Sequence, residues 1–107
     1  MMTENLKSLA DMDRVIHEPA RLMIVAILYT LESADFLYLL RESGLTKGNL
    51  STHLTRLEQS EYIQVQKSFR GKISQTTYQL TPKGINAFEI YREHLKSVLE
   101  NTSQVKK

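Results

Sequence analysis

The spacing of the apolar residues switches near the middle of this chain from one period to another, and that switch limits what it can fold into. Up to Ser60 apolar residues recur every three or four positions, which is typical of amphipathic helices. From Ile63 to Leu80 they alternate with polar residues around Gly71, as in two strands joined by a turn. Beyond Thr81 the helical spacing returns. The pattern predicts a mainly α-helical fold with one small β-hairpin.

Two helices are predicted ahead of residue 32. The first has its apolar positions from Leu6 to Ile16 and Thr3 as its N-cap. The second begins with Pro19 in its first turn, where a missing N–H costs nothing. Residues 22–31 are apolar on every side apart from Thr30. A helix without a polar face is expected at the centre of the fold.

Two further helices precede the hairpin. Ser33 is predicted to cap the third, which ends at Gly44 because glycine readily adopts the left-handed conformation that stops a helix. Thr46 is predicted to cap the fourth, over residues 46–60. The buried stripe of this fourth helix is predicted to be Leu50, Leu54 and Leu57.

The hairpin leads into a long final helix. Thr81 supplies its N-cap and Pro82 its first residue. The helix is predicted to reach about residue 100, ahead of a polar tail at 101–107 that frays. Its apolar side comprises Ile85, Phe88, Tyr91, Leu95, Val98 and Leu99.

Two helices joined by a tight glycine-containing turn, followed by a hairpin with a basic tip, are typical of a helix-turn-helix with a wing. The segment from Gly44 to Glu58, followed by Tyr62-Ile63 and by the segment from Tyr78 to Gly84, resembles the small winged helix-turn-helix transcriptional regulators of the MarR and ArsR type. The resemblance extends from about Pro19 to Leu99. It implies sequence-specific binding of double-stranded DNA.

The resemblance also implies a division of the chain. Residues 1–107 are expected to form a single domain, with the helix-turn-helix core and the wing at 19–80. Residues 1–17 and 82–100 are expected to be extra terminal helices that form a homodimer.

The fourth helix is the recognition helix in this resemblance. Opposite its leucines it presents small or hydrogen-bonding side chains, which can enter a major groove without obstruction. Asparagine and arginine can read base edges, while hydroxyls, lysine and a helix N-terminus bind phosphates. A merely solvated face is the alternative. The residues expected nearest the bases are Asn49, Thr52, His53 and Arg56, and those expected at phosphates are Thr46, Lys47, Gly48 and Ser51.

The hairpin tip carries a second set of basic residues. Lys67, Arg70 and Lys72 flank Gly71 on a narrow protrusion that suits a phosphate or a minor groove. The resemblance implies that this wing, residues 67–72, approaches the minor groove through Arg70. Basic tips also prevent unwanted pairing at sheet edges, which is the alternative.

The apolar side of the final helix is longer than the flanking elements can cover, because about eighteen helical residues span roughly 27 Å. A two-fold dimer would bury this side and set two recognition helices about one turn of DNA apart. Coverage by the first helix of the same chain is the alternative. The predicted interface is Leu6, Leu9, Ile85, Phe88, Tyr91, Leu95, Val98 and Leu99.

The net charge of +2 conceals an uneven distribution. Residues 1–46 carry four basic and seven acidic side chains, and residues 73–107 carry five and three. Residues 47–72 carry five basic and two acidic side chains, a net charge of +3 over the recognition helix and the wing. The small total is therefore compatible with a DNA-binding face, and it favours recognition by shape and base contacts over bulk charge.

Other functions find little support in the sequence. Cysteine is absent, which excludes disulfides and thiolate metal sites, and His17, His53 and His94 are too far apart to indicate a metal site. Motifs for catalysis or for a cofactor are lacking, so an enzyme is not expected. With neither a signal peptide nor an apolar run long enough to span a bilayer, the chain is expected to be a soluble cytoplasmic protein with no membrane partner.

Three questions stay open at this level. A small-molecule effector could bind between the core and the terminal helices, although core packing explains the same residues: Met23, Tyr29, Phe36, Tyr38, Phe88 and Tyr91. A winged helix can also act as a protein-interaction module without binding DNA. Relatives commonly have glycine where this chain has Glu61, so either Glu61 is left-handed or the turn into the hairpin differs.

Overall fold

Four α-helices and a three-stranded antiparallel sheet make up residues 6–103, the part of the chain that the computed structural model describes. The mainly helical fold with a hairpin is confirmed. In chain order the elements are a short 3-10 helix at Ser8–Asp11, α1 at Pro19–Tyr29, β1 at Ala34–Asp35, α2 at Phe36–Ser43, α3 at Lys47–Gln59, β2 at Ile63–Arg70, β3 at Ile73–Leu80 and α4 at Pro82–Asn101.

Helix α1 lies at the centre of the fold, as its apolar sequence predicts. Pro19 is its first residue, and the Glu18 carboxylate caps it by accepting a hydrogen bond from the Arg21 backbone N–H at 2.7 Å. Ile24 and Val25 are completely buried. Tyr29, Phe36 and Tyr38 pack against the core around this helix, while Phe88 and Tyr91 belong to it. Five of the six residues considered for an effector pocket therefore have a packing role.

The predicted Ser33 cap of the third helix is wrong by two residues. Ala34 and Asp35 instead pair with Tyr78 and Thr77 as the short edge strand β1. The helix starts only after this strand, and the Asp35 carboxylate caps it by accepting from the Tyr38 backbone N–H at 2.8 Å. Helix α2 ends at Gly44, which has the predicted left-handed φ of 69°.

The predicted first helix also differs from the structure. Leu6 and Lys7 are helical, but Ser8–Asp11 form a 3-10 turn and the chain is extended at Met12. The Asp13 carboxylate then accepts from the backbone N–H groups of Val15 and Ile16, which holds a turn where a helix was expected. The proposed cap Thr3 lies outside the described residues. Met12 and Ile16 are nevertheless buried, so the apolar spacing identified core residues but not their conformation.

The hairpin is confirmed in its length and turn. Strands β2 and β3 pair from Ile63 opposite Leu80 to Arg70 opposite Ile73, and Gly71 has the positive φ of the turn, 64°. Strand β3 lies between β1 and β2 in the sheet.

Helix α4 begins as predicted, with the Thr81 hydroxyl accepting from the Gly84 backbone N–H at 3.0 Å. Asn101, expected in the frayed tail, is its last residue. Residues 104–107 of that tail lie outside the described part of the chain.

Candidate nucleic-acid interface

Helix α3 turns one side toward the core and the other toward solvent. Its predicted stripe of Leu50, Leu54 and Leu57 is buried, with at most 4% of any of these side chains exposed. Thr46 caps the helix as expected, its hydroxyl oxygen accepting from the Asn49 backbone N–H at 3.2 Å. The exposed residues on and before the opposite side are Thr46, Lys47, Gly48, Asn49, Ser51, Thr52, Thr55, Arg56 and Gln59.

Few of these exposed side chains are engaged within the protein. The Thr52 hydroxyl donates to the Gly48 carbonyl at 2.9 Å, and the Arg56 guanidinium donates to the Ser60 hydroxyl at 3.2 Å. The Asn49 side chain forms no hydrogen bond with the part of the protein described. A Cβ at Gly48 would have no atom within 4 Å, so the backbone itself is open to a ligand there. This side of α3 therefore presents free hydrogen-bond donors and acceptors on a nearly flat surface.

His53 does not belong to this open side, contrary to the sequence prediction. Its side chain is only 20% exposed, and its Nδ1 accepts a hydrogen bond from the Arg21 guanidinium at 3.1 Å. The Glu18 carboxylate lies 3.9 Å from the same nitrogen. The Arg21 Nε also donates to the Val15 carbonyl at 2.6 Å. His53 thus joins α3 to the start of α1, and this contact argues against the base contact that the sequence predicted for it.

The turn between α3 and the hairpin resolves the question of Glu61. Its φ is 64°, the left-handed conformation in which glycine was expected. For a residue with a Cβ this costs about 1 kcal/mol. The Tyr62 N–H donates to the Leu57 carbonyl at 3.0 Å and the Thr81 hydroxyl donates to the Glu61 carbonyl at 2.7 Å, so both sides of the turn are fixed. The Glu61 carboxylate pairs with the Lys83 ammonium at 3.4 Å.

A second contact fixes the base of the hairpin against the N-terminal segment. The Tyr62 hydroxyl donates to the Asp13 carboxylate. Burial, followed by this hydrogen bond and the charge of Asp13, raises the pKa of Tyr62 to about 12. Burial also raises the pKa of Tyr91, whose hydroxyl lies 2.8 Å from His17 Nδ1.

The hairpin tip is exposed and cationic. Lys67, Arg70, Gly71 and Lys72 are all exposed, and residues 62–81 include no aspartate or glutamate. The tip therefore has positive charge with no carboxylate on its own strands to neutralise it.

The apolar residues predicted for a dimer interface fall into three groups by exposure. Phe88 is 7% exposed and Tyr91 is 3% exposed, so both are committed to the core of their own chain and leave little surface for a partner. Leu6 and Val98 are partly exposed. Ile90, half exposed on α4, was missed by the sequence analysis because it lies off the main stripe. The clearly exposed members are Leu9, Ile85, Leu95 and Leu99.

Neither a metal site nor a membrane-spanning helix is found among the described residues. Residues 6–103 contain no cluster of three or more metal-ligating side chains from histidine, cysteine, aspartate or glutamate. No helix in the same range is long and apolar enough to cross a membrane.

Comparison with known proteins decides the family. Residues 20–99 match the family described as the winged helix DNA-binding domain. The chain belongs to this family. The resemblance that the sequence motifs suggested is confirmed, and the match covers almost the same residues. It is a family of DNA-binding domains rather than of enzymes.

This winged helix chain has similar proteins in archaea and bacteria. It is 34% identical over 89 residues to an uncharacterized protein of Methanocaldococcus jannaschii, a match that covers 82% of this chain and 96% of that one. It is 25% identical to a transcriptional regulator homologue of Pyrococcus horikoshii, with a TM-score of 0.85 over 94% of this chain and 99% of that structure. A protein of Enterococcus faecalis assigned to the MarR family of transcriptional regulators shares the fold at 17% identity, with a TM-score of 0.73 over 92% and 90% of the two chains.

Proposed function

We propose that this winged helix protein is a homodimeric transcriptional regulator that binds a pseudo-palindromic duplex site. The open polar side of α3, next to a hairpin tip without acidic residues, is the observation that carries the proposal. Similarity to the Pyrococcus horikoshii regulator homologue over nearly its whole length supports the same role. Occupation of a promoter would then exclude or recruit the transcription machinery.

In this proposal α3 enters the major groove. Asn49 and Arg56 read base edges, because an amide and a guanidinium form paired hydrogen bonds with adenine and guanine. Thr52 lies beside them, with its hydroxyl oxygen still able to accept a hydrogen bond. The phosphates flanking the groove are bound by the N-terminal end of the helix, through Thr46, Lys47, Gly48 and Ser51.

The wing contacts the DNA beside the major groove that α3 occupies. Lys67, Arg70 and Lys72 neutralise phosphates, and Arg70 reaches the minor groove. The exposed positive charge of the hairpin tip, with no carboxylate on its own strands, supports this role over simple protection of a sheet edge.

A homodimer would place two such surfaces on one duplex. Helix α4 has twenty residues, about 30 Å in length, and exposes Ile85, Leu95 and Leu99 along it. Burying these side chains against a second copy removes apolar surface from water and sets the recognition helices about one DNA turn apart. Residues 82–100, with the exposed Leu9 of the N-terminal segment, form the proposed interface, and residues 19–80 form the DNA-binding core.

The proposal is tested by titrating fluorescently labelled duplexes with the full chain at increasing salt concentrations. A DNA-binding protein loses affinity steeply with salt, by about one counterion for each phosphate contacted. Duplexes selected by the protein from a random pool should bind at least about a thousandfold more tightly than unrelated ones at the same salt concentration. A protein-interaction module would show neither salt-dependent binding nor selection, and that result would overturn the proposal.

A further inference from the structure

The hairpin tip exposes large apolar side chains as well as positive charge. Phe69 is 74% exposed and Ile73 is 73% exposed, the highest values among the exposed large apolar side chains of residues 6–103. Neither contributes to the core. Phe69 pairs with Ser74 and Ile73 pairs with Arg70, so the two apolar side chains lie on opposite faces of the ribbon beside the Gly71 turn.

The charge around these side chains identifies the occupant that they suit. The hairpin carries Lys67, Arg70 and Lys72 and no carboxylate, so it attracts a polyanion and repels a second copy of itself. The DNA minor groove combines phosphates along its edges with sugars and base edges inside. Proteins that bind there frequently insert phenylalanine or isoleucine between base steps. The tip thus has both the cations for the phosphates and the apolar groups for the base step.

We propose that Phe69 inserts into the minor groove beside each half-site, opens a base step and bends the duplex, while Ile73, on the opposite face of the ribbon, contacts the facing wall of the groove. This inference rests on the proposed function, since it requires that α3 first positions the wing. Lys67 and Lys72 bind the flanking phosphates, while Arg70 and the apolar side chains enter the groove.

The dimensions of the ribbon favour deformation of the groove. The backbones of two paired strands lie about 4.8 Å apart, and their side chains add to this width. The minor groove of regular B-DNA is only about 6 Å wide. Entry of the tip, with its side chains, therefore widens the groove. Steps that unstack easily, with a pyrimidine followed by a purine, should be preferred where the tip inserts.

The experiment uses a duplex recovered from a random pool by selection on the full chain and labelled at both ends for energy transfer. Wild-type protein should shorten the distance between the ends, as expected for a bend of roughly 20–90°. The variant Phe69→Ser/Ile73→Ser retains Arg70 and should bind the duplex without the bend. Leu37→Ser is the matched control, because Leu37 is also strongly exposed, at 66%, but lies on α2. It should bend the duplex like the wild type.

Each other outcome has a definite meaning. If wild-type protein binds the selected duplex without bending it, or if the double variant bends it equally, the proposed insertion of the hairpin tip is wrong and the proposed function stands. If no duplex is selected, both fail. Two further outcomes, with DNA bending retained, would also show that the proposed insertion is wrong. If the double variant loses binding to phosphatidylglycerol vesicles, the apolar tip contacts a membrane surface. If the double variant changes its sedimentation, the apolar tip serves self-association.

Discussion

A Cβ atom on Gly84 would lie 2.1 Å from the carbonyl oxygen of Tyr62. The same carbonyl accepts a hydrogen bond from the Thr81 backbone N–H at 3.0 Å. The start of α4 is therefore packed directly on the backbone that leads into the hairpin, without an intervening side chain. This contact sets the position of the wing relative to the final helix.

Replacing Gly84 with alanine should destabilise the fold by about 1–3 kcal/mol, because backbone must move to admit the methyl group. Chemical denaturation measures the change. Gly48→Ala is the matched control, since it also places a methyl group in the first turn of a helix but meets no atom within 4 Å. It should leave stability unchanged or raise it by up to about 1 kcal/mol. Equal losses from both substitutions would show that the Tyr62 contact is unimportant.

Tyr62 should make stability depend on pH in the alkaline range. Its pKa is about 12 in the folded protein and near 10 in the unfolded chain, so the folded state holds its proton more tightly. The contribution is complete below pH 10 and is lost as the pH rises toward 12. Because the side chain is partly exposed, we expect a loss of about 1 kcal/mol, less than the full shift would give.

The measurement is the free energy of unfolding of wild-type protein and Tyr62→Phe between pH 8 and pH 12. The phenylalanine variant should start less stable at pH 8 and lose less as the pH increases, so that the two curves converge. Parallel curves would mean that the tyrosine–aspartate hydrogen bond does not stabilise the folded state.

The sequence predicted helix α3 and the hairpin well because their signals are local. The Thr46 cap, the Gly44 stop and the Gly71 turn each depend on the conformational preference of one residue, and each is found in the structure. The strand at Ala34–Asp35 could not be predicted in the same way. It exists because Tyr78, more than forty residues later, provides a pairing partner.

Burial on the final helix was harder to predict for a related reason. Phe88 and Tyr91 continue the same apolar stripe as Leu95 and Leu99, and periodicity does not show where the chain's own core ends. The contact of His53 could not be predicted either, because its partner Arg21 lies 32 residues away. Contacts between distant segments thus account for the features of the site that the sequence did not show.

Leu99→Glu should convert the proposed dimer into a monomer. Leu99 is 60% exposed in the single chain, so a carboxylate there is tolerated by the fold but would be buried without a partner in the dimer. Sedimentation velocity distinguishes the two states. Leu37→Glu should leave the sedimentation coefficient unchanged, because it introduces the same charge on α2. A wild-type chain that sediments as a monomer at tens of micromolar would contradict the dimer.

Asn49 and Arg70 should have different effects on DNA binding. Asn49→Ala removes a base contact and should reduce the preference for a selected duplex over an unrelated one by about tenfold or more. Arg70→Ala removes a phosphate or groove contact and should weaken both duplexes alike, while the salt dependence falls by about one counterion. Titrations of both duplexes at several salt concentrations separate these effects. Equal losses of discrimination would contradict the division between α3 and the wing.

His53→Ala should reduce stability without altering discrimination between duplexes, even though His53 lies within α3, the proposed recognition helix. The substitution leaves the Arg21 guanidinium without its Nδ1 acceptor and should cost about 1 kcal/mol in the free energy of unfolding. The ratio of affinities for selected and unrelated duplexes should stay at the wild-type value, in contrast to Asn49→Ala. His53→Ala could instead lower that ratio as much as Asn49→Ala does. The histidine would then have to leave Arg21 and reach the bases when DNA binds. That result would contradict a purely structural role for His53 in the contact between α3 and α1.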